Sequence, residues 1–185
     1  MPLPLAHGLM GATVIALCHR QQDGNRNWCA YALGFLLAVA PDFDCAFRWI
    51  PFAPFAGRGW HHDFTHSLGF ALLCGWLVAV LLHESREHTR QMLVYAAAMA
   101  THPLLDLLFT SSSGVELLWP FRHDRLRLGV EPPVAYVWHH HSLLGKAFDL
   151  AQIALVELAL YGSLFLLAWW LGQVMRRNVV ESRLA

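Results

Sequence analysis

Five apolar segments, separated by shorter polar stretches, make up most of the sequence and cover about residues 3–18, 28–41, 64–82, 92–109 and 150–171. None shows the strict apolar–polar alternation of a half-buried strand. Several fall short of the roughly 20 residues of an ideal transmembrane helix. The second is the weakest candidate, with an interfacial or half-buried position as its alternative. The pattern predicts one all-α domain over residues 1–185, a polytopic integral membrane protein with four to five transmembrane helices.

Composition supports a bilayer as the surrounding medium. Of the 185 residues, 56% are hydrophobic and 14% are charged, whereas soluble domains carry about 25% charged residues. Thirteen acidic side chains balance thirteen basic ones, so the charge gives no support for nucleic-acid binding. Membrane lipids are the expected surroundings, and the composition implies no oligomeric state.

The polar residues inside or beside the apolar segments are not scattered. If all five segments cross the bilayer, their ends alternate between its two faces. The end of every even segment and the start of every odd one then meet at one face. Nine histidines and aspartates fall at this face, where chance would distribute them over both: His7, Asp42, Asp44, His61, His62, Asp63, His66, His102 and Asp106.

The fourth segment carries the pair His102 and Asp106, four residues apart and therefore on one face of a helix. Both side chains are suitable ligands for a divalent cation such as zinc or manganese. Ionisable groups at membrane depth are rare and usually functional. The alternative is a packed core histidine beside a hydrogen-bond acceptor. Pro103 disfavours the helical conformation at His102 and predicts a kink there.

Two other segments offer ligands of the same kind. Asp42 and Asp44, two residues apart, would share one side of an extended segment and could clamp a pair of cations; an ordinary acidic turn is the alternative. In residues 61–67, Thr65 or Asp63 could cap the third helix, with His66 directed to the site from its first turn. The histidines at 139–141 are better interpreted as an interfacial cluster beside Trp138 than as ligands.

The ordered set resembles the YdjM-type bacterial inner-membrane proteins, called membrane-bound metal-dependent hydrolases. That family combines an early histidine, Pro-Asp-x-Asp, His-Arg-Gly-x-Thr-His-Ser, His-x-x-x-Asp and Gly-x-x-Leu-Leu-x-Pro. This chain has the same motifs in order between residues 7 and about 121, ending with Gly-Val-Glu-Leu-Leu-Trp-Pro at 114–120. It departs at His62, where the family has arginine, and at Asp63, where it has glycine. The resemblance implies a bacterial inner (plasma) membrane location and metal-dependent hydrolysis.

From these patterns we expect a hydrolase that binds one or two divalent ions, zinc first, with manganese or magnesium as alternatives. It would cleave a phosphoester, or another ester or amide bond, of a lipid or lipid-linked substrate. Asp63 is the expected general base, unless Asp42 or Asp44 is left uncoordinated, and His62 would steady the leaving group or a phosphate oxygen. A metal-binding or transport protein without hydrolysis, and a structural protein whose polar residues only pack helices, are the alternatives. The expected metal ligands are His7, Asp42, Asp44, His61, His66, His102 and Asp106.

Arginines flanking the segments indicate an orientation. The face opposite the motifs carries a small excess of basic residues in short loops, which predicts a cytoplasmic location for that face and for the carboxyl terminus. The motif face would then point outward. The residues responsible are Arg20, Arg26, Arg86, Arg90, Arg176, Arg177 and Arg183.

Overall fold

A computed structural model of the chain describes residues 2–18, 28–49, 62–109, 114–131 and 142–184, without the side chains of 47–49 and 176–184. Five α-helices account for most of these residues: α1 (Pro4–Cys18), α2 (Trp28–Val39), α3 (Leu68–Leu82), α4 (His88–Phe109) and α5 (Leu143–Leu184). Short 3-10 helices cover Ala40–Trp49, Phe64–His66 and Ser85–Glu87. Within the described residues the only β pairing is an isolated bridge between Val115 and Leu126. The all-α prediction is confirmed.

The five predicted segments correspond to the five helices. Three stretches are long and apolar enough to cross a membrane: Trp28–Ala46, Ser85–Phe109 and Leu143–Met175. The second segment, expected to be the weakest, is among them because the 3-10 helix continues α2. The first and third segments form α1 and α3, apolar helices of 15 residues each, or about 22 Å at 1.5 Å per residue.

Helices α1 to α4 form an antiparallel bundle in which α1 packs on α2 and α4, and α3 packs on α4. Small residues allow close approach between the helices, as is common in membrane proteins. A Cβ atom added at Gly11 would collide with the carbonyl oxygen of Gly34, and one at Gly75 would collide with the backbone of α4. The end of the bundle where α1 and α3 begin and α2 finishes is called the site end below.

Helix α5 packs along α1 and holds its first residues through a buried carboxylate. Glu157 is fully buried, and its two oxygens accept hydrogen bonds from the backbone N–H groups of Leu3 (2.7 Å) and Ala6 (3.3 Å). A carboxylate at a helix amino terminus satisfies unpaired donors and favours the helix dipole. Gln152, the other polar residue in this apolar part of α5, is exposed, although a polar side chain in a membrane span is expected to face protein.

An irregular segment, residues 114–131, covers the site end. Its backbone holds the turn before α3: the N–H of Glu116 donates to the carbonyl of His62, and the N–H of Leu68 donates to Leu117, both at 3.0 Å. Farther along, Leu128 and Val130 donate to the last carbonyls of α4. These bonds join the turn at 62–67 to the end of α4.

Candidate metal centre

The pair on α4 lies at the middle of the site. His102 and Asp106 are both fully buried, and His102 Nε2 is 3.3 Å from Asp106 Oδ2. The helix runs through Pro103 without interruption, so the two side chains keep their shared face. Packing of α4 against α1, α2 and α3 offsets the backbone hydrogen bond that the proline removes.

From α1, His7 contributes an imidazole that stacks on His102, with ring centroids 3.9 Å apart. Its Nε2 lies 3.7 Å from Asp106 Oδ1. Both nitrogens of His7 and both oxygens of Asp106 are buried without a hydrogen bond to any described residue. Buried polar atoms are almost always hydrogen-bonded, and this concentration of exceptions points to a ligand.

The two aspartates after α2 have different positions. They lie in a 3-10 helix and not in an extended segment, so the predicted shared side is wrong. Asp42 Oδ1 is 3.4 Å from His102 Nε2 and 3.8 Å from His66 Nε2. Asp44 instead lies behind His66, with its Oδ2 3.5 Å from the Nδ1 nitrogen of that ring. Asp42 therefore faces the cluster, whereas Asp44 orients one of its histidines.

The turn before α3 supplies two more histidines. His66 is fully buried and its Nε2 lies 3.7 Å from Asp106 Oδ2. His62, with a left-handed φ of 74°, is also buried and brings its Nε2 to 3.9 Å from the same oxygen. Ser67, between this turn and α3, caps α3 by accepting a hydrogen bond from Phe70 N–H, where Thr65 or Asp63 had been expected.

Hydrogen bonds on the outer side of two rings establish which nitrogens carry protons. His102 Nδ1 is 2.7 Å from the carbonyl oxygen of Ala38, which only accepts, so this nitrogen donates. The hydroxyl of Thr65 donates its only proton to Asp44 at 2.7 Å. In its 3.0 Å contact with His66 Nδ1 the hydroxyl oxygen must therefore accept, and the ring nitrogen donates. In a neutral imidazole protonated at Nδ1, the Nε2 is an acceptor.

When the two rings are neutral, the inward-facing nitrogens of His66 and His102 are consequently acceptors, as are the carboxylate oxygens beside them. The Nε2 atoms of His66 and His102 are 3.0 Å apart, and the carboxylates of Asp42 and Asp106 face the same point. Acceptors that converge in this way require extra protons or a cation between them. Histidine rings held at Nδ1 by a carboxylate, hydroxyl or carbonyl are the usual arrangement behind metal-bound Nε2 atoms.

Three overlapping groups have ligand atoms within 4.8 Å of one another: His7–His102–Asp106, Asp42–His66–His102 and His62–His66–Asp106. The first and third share only Asp106, whose two oxygens face different histidines. A carboxylate in that position could bridge two cations. The donors are imidazole nitrogens and carboxylate oxygens, which fit zinc or manganese.

Some expected residues do not lie in the cluster. Asp63 forms an ion pair with Arg125 of the covering segment and belongs to none of the three groups. His62, expected to contact substrate, lies instead among the candidate ligands. His61 and the histidines at 139–141 lie outside the described residues. The role of Glu157 in holding α1, and thereby His7, was missed, because only the fold shows which backbone groups it meets.

Comparison with known proteins places the chain in a family. The model of the YdjM inner membrane protein family matches residues 1–179. The chain belongs to that family. It is similar to the inner membrane protein YbcI of Escherichia coli (strain K12), with 34% identity over 103 residues, which cover 50% of this chain and 54% of that protein. The chain thus spans about half the length of this curated relative. No solved structure matches the chain.

The YdjM family is named as an inner membrane protein family, and three helical stretches of this chain are long and apolar enough to cross a membrane. The protein is a multi-pass protein of the bacterial inner membrane, with its histidines and aspartates gathered at one end of the bundle. The motifs by which the sequence resembled the family supply five residues of the cluster, His7, Asp42, His66, His102 and Asp106, and His62 joins them from a position where the chain departs from the motif.

Proposed function

We propose that this protein is a membrane-bound metal-dependent hydrolase that cleaves a phosphoester, or another ester or amide bond, of a lipid or lipid-linked substrate. The observation that carries the proposal is the convergence of imidazole nitrogens and carboxylate oxygens from four elements on one buried point. One buried histidine can be explained by packing alone. Four buried histidines beside two carboxylates cannot be explained in this way. One or two divalent ions, with zinc preferred over manganese or magnesium, would satisfy these atoms together.

A divalent ion, when bound, would polarise the bond to be cut and make a water molecule acidic enough to act as a nucleophile near neutral pH. His7, His66, His102 and Asp106 would hold the ion. Asp42 has 21% of its side chain exposed, against 0% for Asp106. Its greater exposure makes it the better candidate for the general base, which takes a proton from water and returns it to the leaving group.

The depth of the cluster supports a lipid substrate. His102 lies seven residues before the end of α4, about 10 Å below it by the helical rise. Helices α1 and α3, at about 22 Å, are shorter than the roughly 30 Å hydrocarbon core of a bilayer. A site at this depth would lie near the level of the ester and phosphate groups of a lipid whose chains stay in the membrane, and the partly exposed Asp42 is on its open side.

Transport is the less favoured function because the described core between the cluster and Gln91, near the far end of α4, is mainly apolar. The residues that pack there include Ile15, Leu37, Tyr95 and Met99. The hydroxyl of Thr13 donates a hydrogen bond to the backbone carbonyl of Leu9 within α1. Glu157, which could have marked a polar route, is engaged by the backbone of α1. An ion crossing the bundle would lose its hydration among these side chains at a large cost in free energy.

The test uses detergent-purified protein that is stripped with a chelator and reloaded with zinc, manganese or magnesium. It is incubated with bacterial membrane lipid extract, and released headgroups and fatty acids are measured by mass spectrometry. We expect metal-dependent release by the native chain, reduced by about 10²–10⁴-fold in Asp42→Ala, the range typical of a general base. His123→Ala, at an exposed histidine of the covering segment, is the matched control and should retain the activity.

Full metal occupancy without any change in the lipids, for all three metals, would contradict hydrolysis. The protein would then be a metal-binding membrane protein. Unchanged metal content in a His102→Ala, Asp106→Ala double variant would show that the cluster is not the metal site.

A further inference from the structure

A groove opens on the side of the bundle next to the candidate metal centre, between the end of α2 and one face of α3. Its volume is about 390 Å³, within the roughly 300–1,000 Å³ range of small-molecule sites. Except for one end, the lining is apolar. The residues that form its length are Leu37, Ala40, Phe70, Cys74, Val78 and Met99.

The one polar end of the groove adjoins the cluster. Asp44 and Thr65 line this end, and both contact the Nδ1 side of His66. From there the groove follows α3 from Phe70 to Val78, about 12 Å by the helical rise. A ligand lying in it would have one end at Val78 and the other beside Asp44 and Thr65, behind the His66 ring.

The surroundings of the groove indicate what fills it. Its rim residues Phe43 and Leu77 are exposed, as are Leu73, Trp76 and Leu81 on the neighbouring surface of α3. In a membrane protein this apolar surface is bathed by lipid chains and not by water.

We infer that the groove between α2 and α3 is a binding site for one acyl chain of a membrane lipid, whose headgroup then lies at the edge of the candidate metal centre, beside Asp44 and Thr65. This inference rests on the proposed function for its catalytic meaning, but the binding itself does not depend on hydrolysis. A chain bound in the groove would hold the lipid in one position, because the groove ends at Asp44 and Thr65, which contact the outer side of the His66 ring. The groove then selects substrates that have at least one long apolar chain.

The experiment compares valines at two positions of the same helix. Val78 lines the groove, whereas Val80 is exposed on the membrane-facing surface. We would make Val78→Trp and Val80→Trp, with Cys74→Trp and Leu73→Trp as a second pair of groove and surface positions. Each is purified in detergent and titrated with 1-palmitoyl-2-oleoyl phosphatidylglycerol, and native mass spectrometry measures how many lipids stay bound and how tightly.

For the native chain and the two surface variants, we expect one retained lipid. The groove variants should bind it at least tenfold more weakly while metal content and thermal midpoint stay unchanged. Equal retention by Val78→Trp and Val80→Trp, or no retained lipid in the native chain, would overturn the inference. If both groove variants fail to fold, crosslinking a diazirine-labelled palmitoyl chain to the native protein decides: adducts on Phe70, Cys74 or Val78 support the groove, and adducts confined to Leu73 and Leu81 refute it.

Lipid retention and lipid hydrolysis are measured separately, so the groove and the hydrolase activity can be refuted independently. Lipid retention that depends on Val78, without hydrolysis of any lipid, keeps the groove and removes the hydrolase. Hydrolysis that proceeds at the native rate in Val78→Trp keeps the hydrolase and removes the groove. Asp106→Asn, which alters the candidate metal centre alone, should retain the lipid as the native chain does.

Discussion

Replacing Asp106 by asparagine isolates the contribution of the shared carboxylate. The two side chains have nearly the same shape, so the substitution leaves no cavity. What is lost is the negative charge and one of two acceptor oxygens that face His7 on one side and His62, His66 and His102 on the other. We expect Asp106→Asn to remain folded but to lose most of its bound metal.

The magnitude follows from the linkage between binding and folding. A metal present at 100 times its dissociation constant stabilises the native state by about 2.7 kcal/mol. At about 2–4 °C per kcal/mol for a chain of this size, adding metal should raise the thermal midpoint of the native protein by roughly 5–10 °C. The same addition should raise the midpoint of Asp106→Asn by less than about 2 °C, because fewer ligands remain.

The assay is thermal unfolding in detergent, followed by tryptophan fluorescence with chelator or with zinc, together with metal analysis of the same samples. Asp124→Asn is the control, since Asp124 lies in the exposed covering segment and pairs only with Arg122 among the described residues. A full metal-induced shift in Asp106→Asn would refute the assignment of the shared carboxylate. So would a native protein whose midpoint does not respond to any divalent metal.

Three further predictions concern the support of the site, the helix packing and the orientation. Asp44→Ala should weaken metal affinity by about 10–100-fold without abolishing binding, since Asp44 only orients His66; a competition titration against a metal-sensitive dye measures this, and an unchanged affinity would contradict it. Gly11→Ala should lower the free energy of unfolding by about 1–3 kcal/mol, because it overpacks α1 against α2. Gly162→Ala, where a Cβ meets only ordinary contacts, is the control and should be neutral or slightly stabilising. Equal thermal midpoints for the two variants would argue against the close contact between α1 and α2. A cytoplasmic reporter fused after Ala185 should be active, and activity of a periplasmic reporter there would reverse the orientation.

Comparing the predicted and observed positions of individual site residues shows which features of the site can be predicted from the sequence. His102 and Asp106 were paired by helical spacing alone, because four residues make about one turn whatever the surrounding fold is. His7 and Asp42 were added by counting crossings, since antiparallel helices return alternate ends to one face. An extended backbone would place Asp44 on the same side as Asp42, but the 3-10 helix separates them. The position of Asp63 in the motif predicts a catalytic role, but Arg125, distant in sequence, pairs with its carboxylate away from the cluster.

By itself the sequence determined the helical class, the five apolar segments and the face at which the histidines and aspartates gather. These depend on local periodicity and on the bilayer, which penalises every unpaired backbone group and every stray charge. Only the tertiary structure decided which atoms converge, which ring nitrogens donate and what Glu157 holds. Those outcomes depend on contacts between residues up to 154 positions apart, and no local pattern in the chain encodes such a distance. The groove beside α3 belongs to the same group, because an empty space between helices is a property of their packing and not of any one segment.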